Sequence, residues 1–371
     1  MARSYRHPFR HFLLVTHRWM GIPAALLLTA MGLSGAILVY EEPVDRLLYP
    51  RLHRVEPAST RLPLDSLVAI TDRAAPRRAG AGWIIVPRRP DEAARVQYEY
   101  RHVFIDPYRG TILGERGIGE SLVHVVRVFH QTFLLSTPGW MAALAATTAG
   151  VLLSLGGFLL WWPRRILRIR RGMPWRRVTF DLHNVAGVAA VAGLLLFGGT
   201  ALLMSVGVTL DPWYRRAFGD APNPRLLPAS PRAPQAVGVD SIVRAADAAL
   251  PGPVTAIGLP RAAWGTYRVE KQARGEQGPR ARNVVFVDGN DGRVRGVIDQ
   301  GLRPLGTRIA MRTEDWHVAA FAPPWSRVFG IVSCLLLALA SVTGPLVWWK
   351  PRTTPTRRVR ETASGAGASP T

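Results

Sequence analysis

The 371-residue chain has a single cysteine, Cys334. That excludes an internal disulfide, a Cys-x-x-Cys redox pair and a Cys-x-x-Cys-His haem attachment. Acidic residues are scarce, 25 against 47 Lys and Arg, for a net charge of +22. Charge is missing altogether from four stretches, 19–40, 140–162, 184–210 and 328–349, of 22, 23, 27 and 22 residues. A helix rises about 1.5 Å per residue, so each stretch can cross a hydrocarbon core of about 30 Å. None of these runs offers a carboxylate to carry protons or ions, which argues against a transporter subunit.

The excess positive charge is unevenly placed. Residues 1–20, 163–182 and 350–371 together hold sixteen Lys or Arg and two acidic residues. The two long segments between spans are nearly balanced: 41–125 has 13 basic and 12 acidic residues, and 207–316 has 16 and 11. This is the positive-inside pattern of a membrane protein, and it excludes nucleic acid as the partner of the Arg-rich segments. It puts both termini and the loop 163–183 in the cytoplasm of a bacterial inner membrane. The expected order is a basic N-terminus (1–18), span one (19–40), an outer domain (41–139), span two (140–162), the Arg-rich loop (163–183), span three (184–210), a second outer domain (211–327), span four (328–349) and a polar tail (350–371). The first run is longer than the apolar core of a signal peptide and ends without a small-x-small site, so it reads as a retained anchor.

The two halves repeat. His130 stands 31 residues before Trp161-Trp162, and His317 stands 31 residues before Trp348-Trp349. His17-x3-Gly21 opens the first run and His183-x3-Gly187 opens the third, with Gly32 and Gly198 at matching offsets. In each outer segment a helix-like stretch (Leu64–Arg73; Asp240–Leu250) precedes strands. Those expected are Trp83–Val86, Arg95–Tyr100 and Val103–Ile105, then Val254–Leu259, Gly265–Val269 and Asn283–Val287. Val103-Phe104-Ile105-Asp106 with Gly110 matches Val285-Phe286-Val287-Asp288 with Gly292, where Asp and Gly make a tight turn. The fold class is therefore an α-helical membrane protein, with four transmembrane helices as two parallel repeats and two small α+β domains outside. Two spans per copy give both copies one orientation, related by a two-fold axis along the membrane normal.

That axis pairs His17 with His183 on the cytoplasmic side and His130 with His317 on the outer side. His124 is the alternative to His130, but lies about 240° away on a helix. Two facing imidazoles with no nearby Cys or carboxylate make a poor zinc site, which takes four protein ligands. They suit a six-coordinate b-type haem, and two such haems would conduct electrons across the membrane. The Trp pairs mark the aromatic belt beside basic residues.

The chain also resembles a known family. The residues that carry the likeness are Thr16-His17-Arg18-Trp19-Met20-Gly21, Val39-Tyr40-Glu41-Glu42-Pro43-Val44-Asp45-Arg46-Leu47-Leu48-Tyr49-Pro50, Phe129-His130-Gln131-Thr132-Phe133-Leu134-Leu135, Leu182-His183-Asn184-Val185-Ala186-Gly187, and Ser341-Val342-Thr343-Gly344 before Trp348-Trp349. In order and spacing over about residues 10–352 they resemble the PepSY-associated transmembrane proteins, which include iron-regulated inner-membrane proteins and ferric-siderophore reductases. The resemblance implies PepSY-like outer domains, haem held by His17, His130, His183 and His317, and reduction of a ferric chelate. Members often carry Gly and Arg soon after the fourth His, where this chain has Val318-Ala319-Ala320-Phe321-Ala322-Pro323-Pro324. No dinucleotide fingerprint follows a strand. Electrons are then expected from a cytoplasmic reductase or a membrane quinol. The contrasting expectation is a non-redox module that binds peptides or regulates a partner through its outer domains.

Overall fold

A computed structural model describes residues 8–74, 82–98, 100–163, 165–219, 237–260, 265–272 and 282–349. The expected tail 350–371 and the first seven residues lie outside them. Four helices are long and apolar enough to span a membrane. They are α1 (Pro8–Leu38), α6 (Ser136–Trp161), the segment Trp175–Ser205 of α7 (Trp175–Phe218), and α10 (Trp325–Trp348). Each begins before its charge-free run or close to its start, because a helix continues through flanking polar residues once its backbone is hydrogen-bonded. α7 runs beyond any single membrane crossing and ends at Gly219, whose φ is +85°.

The bundle closes as a ring. α1 packs against α6 and α10, and α7 packs against the same two helices. Glycines set the closest approaches. A Cβ on Gly32 would stand 2.7 Å from the Cys334 carbonyl oxygen of α10, and one on Gly198 would stand 2.7 Å from a Val151 methyl of α6. Lipid tails are as apolar as leucine, so close backbone packing at small residues is what holds such helices together.

Between α1 and α6 the chain forms α2 (Glu41–Leu48), α3 (Pro50–His53), α4 (Leu64–Ala74), strands β1 (Gly82–Ile85), β2 (Ala94–Tyr98), β3 (Arg101–Ile105) and β4 (Ile112–Gly117), and helix α5 (Leu122–Thr132). Between α7 and α10 it forms α8 (Val239–Ala249), β5 (Val254–Gly258), β6 (Thr266–Gln272), β7 (Arg282–Asp288), β8 (Val294–Ile298) and helix α9 (Leu305–His317). The strands of the two segments expected as small α+β domains are joined. All eight strands make one antiparallel sheet in the order β4-β3-β2-β1-β5-β6-β7-β8. β1 pairs with β5, so Ile84 faces Ile257 where the halves join. A four-stranded sheet would leave an edge at β1, and pairing it with the equivalent edge removes that liability.

Along each strand alternate residues share a face. Ile84, Val96, Ile257, Val269, Val285 and Val287 are fully buried. Val68 of α4 and Val239, Ile242 and Ala246 of α8 cover the centre of that face in one core drawn from both halves. The outermost strands β4 and β8 were not expected. Each is interrupted by glycine and Arg, as Ile112-Leu113-Gly114-Glu115-Arg116-Gly117 and Val294-Arg295-Gly296-Val297-Ile298 show. Edge strands tolerate such residues because only one side must pair.

Candidate functional site

The predicted histidines meet in two pairs. His17, in the third turn of α1, faces His183 of α7 with ring centroids 6.1 Å apart and planes at 76°. His130 of α5 faces His317, the last residue of α9, at 6.4 Å and 48°. His130 and His317 sit on short helices that precede α6 and α10. After His130 the backbone enters the left-handed region at Phe133 (φ 46°) and Leu134 (φ 63°) to turn into α6. Gly139 permits the turn, since a Cβ there would lie 1.6 Å from the Thr132 carbonyl oxygen.

The spacing has a chemical reading. Two imidazoles hydrogen-bonded directly, with N···N near 3 Å and about 1 Å from each nitrogen to its ring centre, would have centroids about 5 Å apart. Two imidazoles on opposite sides of one metal ion, with metal–N bonds of about 2 Å, would have them about 6 Å apart. Both pairs stand near the second separation, within the range of edge-to-face ring contacts.

Three of the four rings have a partner at Nδ1. The His183 Nδ1 lies 2.9 Å from the Ala340 carbonyl oxygen, and the His317 Nδ1 lies 3.0 Å from that of Phe197. The His130 Nδ1 lies 2.9 Å from the Ser34 hydroxyl. A ring nitrogen that faces a carbonyl must carry the proton, which leaves Nε2 with its lone pair free, the arrangement usual behind a metal-bound His. Among the described residues no Nε2 of the four makes a hydrogen bond. Neither pair has a third His, Cys, Asp or Glu grouped with it among the described residues.

Glycines seat the rings. A Cβ on Gly157 would meet His17 Cε1 at 3.1 Å, one on Gly344 would meet His183 Cε1 at 3.2 Å, and one on Gly35 would meet His130 Cε1 at 3.2 Å. Gly157 and Gly344 each stand four residues before a Trp pair. Arg18 lies over Trp348 and Arg165 over Trp162. The Arg176 guanidinium donates to the Trp349 carbonyl.

His124 is not part of either pair. It lies in the first turn of α5, where its backbone N–H donates to the Ser121 hydroxyl at 3.3 Å. Burial, then the Arg127 charge, lowers its pKa. His102 is pushed down to about 4 by burial and by Arg95 and Arg116.

A buried network was missed in the sequence. Asp45 of α2 accepts two hydrogen bonds from Arg116 of β4, at 3.0 and 2.8 Å, and one from Ser121 at 2.9 Å; His53 of α3 lies at 2.8 Å. Burial alone would raise this carboxyl, but the hydrogen bonds from His53, Arg116 and Ser121 outweigh it and hold it well below the usual carboxylate range. The same Ser121 caps α5, so the network ties the sheet to the helix that presents His130. The only sequence signal was Asp45 within the shared stretch Val39–Pro50, where no local pattern marks its partners.

One family model, that of the PepSY-associated TM region, matches the chain across residues 14–350. The chain belongs to the PepSY-associated TM family. No curated relative matches it. As a PepSY-associated TM protein it is a multi-pass membrane protein whose environment is the lipid bilayer.

Proposed function

We propose that this PepSY-associated TM protein is a membrane oxidoreductase holding two b-type haems, one between His17 and His183 and one between His130 and His317. It would pass electrons across a bacterial inner membrane to a ferric chelate of siderophore type. The observation that carries this reading is the metal-bridging separation of both histidine pairs, 6.1 and 6.4 Å, at two levels of one bundle. Haem held between His17 and His183 and between His130 and His317 would supply one-electron ferric–ferrous chemistry. The chain's own residues hold His130, His183 and His317 by Nδ1 and seat His17, His130 and His183 on glycine.

Orientation follows from charge. The Arg-rich ends lie in the cytoplasm with both termini, so the inner pair receives electrons from a cytoplasmic reductase or a quinol. The outer pair and the sheet face the acceptor, and the halves stand as parallel repeats about the membrane normal. One electron reduces one ferric ion to ferrous, which the chelate holds less tightly. The test mixes dithionite-reduced protein, freed of dithionite, with ferric hydroxamate or catecholate chelates. Reoxidation of the protein with one ferrous ion trapped per electron is expected. Reduced protein that stays reduced with every chelate but is reoxidised by a quinone would overturn the acceptor assignment.

A further inference from the structure

The four rings are not held equally. Behind His183, Nδ1 is shared between the Ala340 carbonyl at 2.9 Å and the Thr343 hydroxyl at 3.3 Å. Thr343 donates its own proton to the Leu339 carbonyl at 2.6 Å, so it offers the ring a lone pair. Behind His317, the Phe197 carbonyl at 3.0 Å is joined by the Thr200 hydroxyl at 3.3 Å, which donates to Leu196. Behind His130, the Ser34 hydroxyl at 2.9 Å donates to Ala30, and the Met31 backbone interacts with the ring. Carbonyl and hydroxyl stand three residues apart each time: 340 and 343, 197 and 200, 31 and 34.

At His17 the pattern breaks. The Leu153 backbone interacts with the ring, and the hydroxyl would come three residues later, at position 156. That residue is Gly156. Beyond a marginal contact with the Leu153 backbone, the buried His17 Nδ1 has no hydrogen-bond partner among the described residues. The neighbouring Gly157 seats the ring, whereas a Cβ added at Gly156 would meet nothing within 4 Å. Room for a hydroxyl exists and none is supplied.

We infer that Ser34, Thr200 and Thr343 are positioning residues that lock three axial histidines, and that His17, unlocked because residue 156 is glycine, is the exchangeable ligand that opens the inner pair to a small diatomic ligand. This rests on the haem reading above. A ring whose Nδ1–H has only a marginal acceptor and no hydroxyl behind it is a weaker donor and turns more freely, so its metal bond is the first to yield.

The test uses the purified haem-loaded protein, reduced and exposed to carbon monoxide, with haem content and optical spectra recorded together. Wild type is expected to bind carbon monoxide at one of its two haems. Gly156→Ser should keep full haem content and lower carbon monoxide affinity about three- to tenfold, the worth of one hydrogen bond. Thr343→Val should keep haem and raise carbon monoxide binding at the inner pair by a similar factor. Equal reaction at both haems, no reaction at either, or an unchanged affinity in both variants at full haem content would overturn the inference while leaving the oxidoreductase reading intact. A preparation without haem would instead remove the reading it rests on.

Discussion

Asp65 and Asp240 cap each other's helices. Asp240 accepts from the backbone N–H groups of Leu64 and Asp65 at 3.0 Å each, and Asp65 accepts from those of Val239 and Asp240 at 2.6 and 3.2 Å. Each carboxylate satisfies orphan N–H groups at the start of the other helix, where the helix dipole also favours negative charge. The exchange clamps α4 to α8 across the junction of the two half-sheets. Gly238 makes room for it, since a Cβ there would stand 2.6 Å from an Asp65 carboxylate oxygen.

The crossed caps give an unusual expectation. Asp65→Ala should expose the first amides of α8, not those of its own α4, and Asp240→Ala should do the reverse. Each should cost about 1 kcal/mol. Hydrogen exchange at residues 64–68 and 239–242 checks this, and protection lost on the mutated residue's own helix would contradict it.

Asp45 predicts both a stability loss and its pH dependence. Asp45→Ala leaves Arg116 buried without a partner and should cost about 3 kcal/mol. Because the folded carboxyl titrates below its unfolded value, its contribution is complete above about pH 4 and fades as pH falls through the lower folded value. Thermal unfolding followed by tryptophan fluorescence should show wild-type stability declining below about pH 4, and Asp45→Asn should flatten that decline.

The close helix contacts predict a contrast between glycines. Gly32→Ala pushes a Cβ against the Cys334 backbone carbonyl, which cannot swing away. A loss of about 1–3 kcal/mol is expected, the usual cost of overpacking. Gly199→Ala, where an added Cβ meets nothing within 4 Å, should be neutral or slightly stabilising in the same detergent melt.

The glycine seats predict selective loss. Gly344→Leu should displace His183 and Gly35→Leu should displace His130, each removing one haem and sparing the other. Haem content of purified variants, with electron paramagnetic resonance to tell the two centres apart, checks this. Loss of both signals from either variant at full folding would mean that the pairs are not independent.

Much of this was legible in the sequence. Charge-free length marked the spans, because a bilayer core admits little else. Helices at Leu64 and Asp240 and the six hydrophobic strands followed from periodicity. What stayed hidden depends on partners far apart in the chain. Nothing local says that Ile84 will face Ile257, so one sheet was read as two. β4 and β8 carry glycine and Arg and lack a strand's alternation. Asp45 finds Arg116 and Ser121 across 71 and 76 residues. Ser34, Thr200 and Thr343 look like ordinary polar residues of a span until a ring nitrogen is seen beside each.

The central claim is that the two histidine pairs hold haem. Its most direct test is an absorption spectrum of the detergent-purified protein, oxidised and dithionite-reduced, with pyridine haemochrome quantification after expression with ample haem. The account predicts sharp low-spin b-type bands at two haems per chain, with one lost on His17→Ala and the other on His317→Ala. A folded, colourless protein would contradict it.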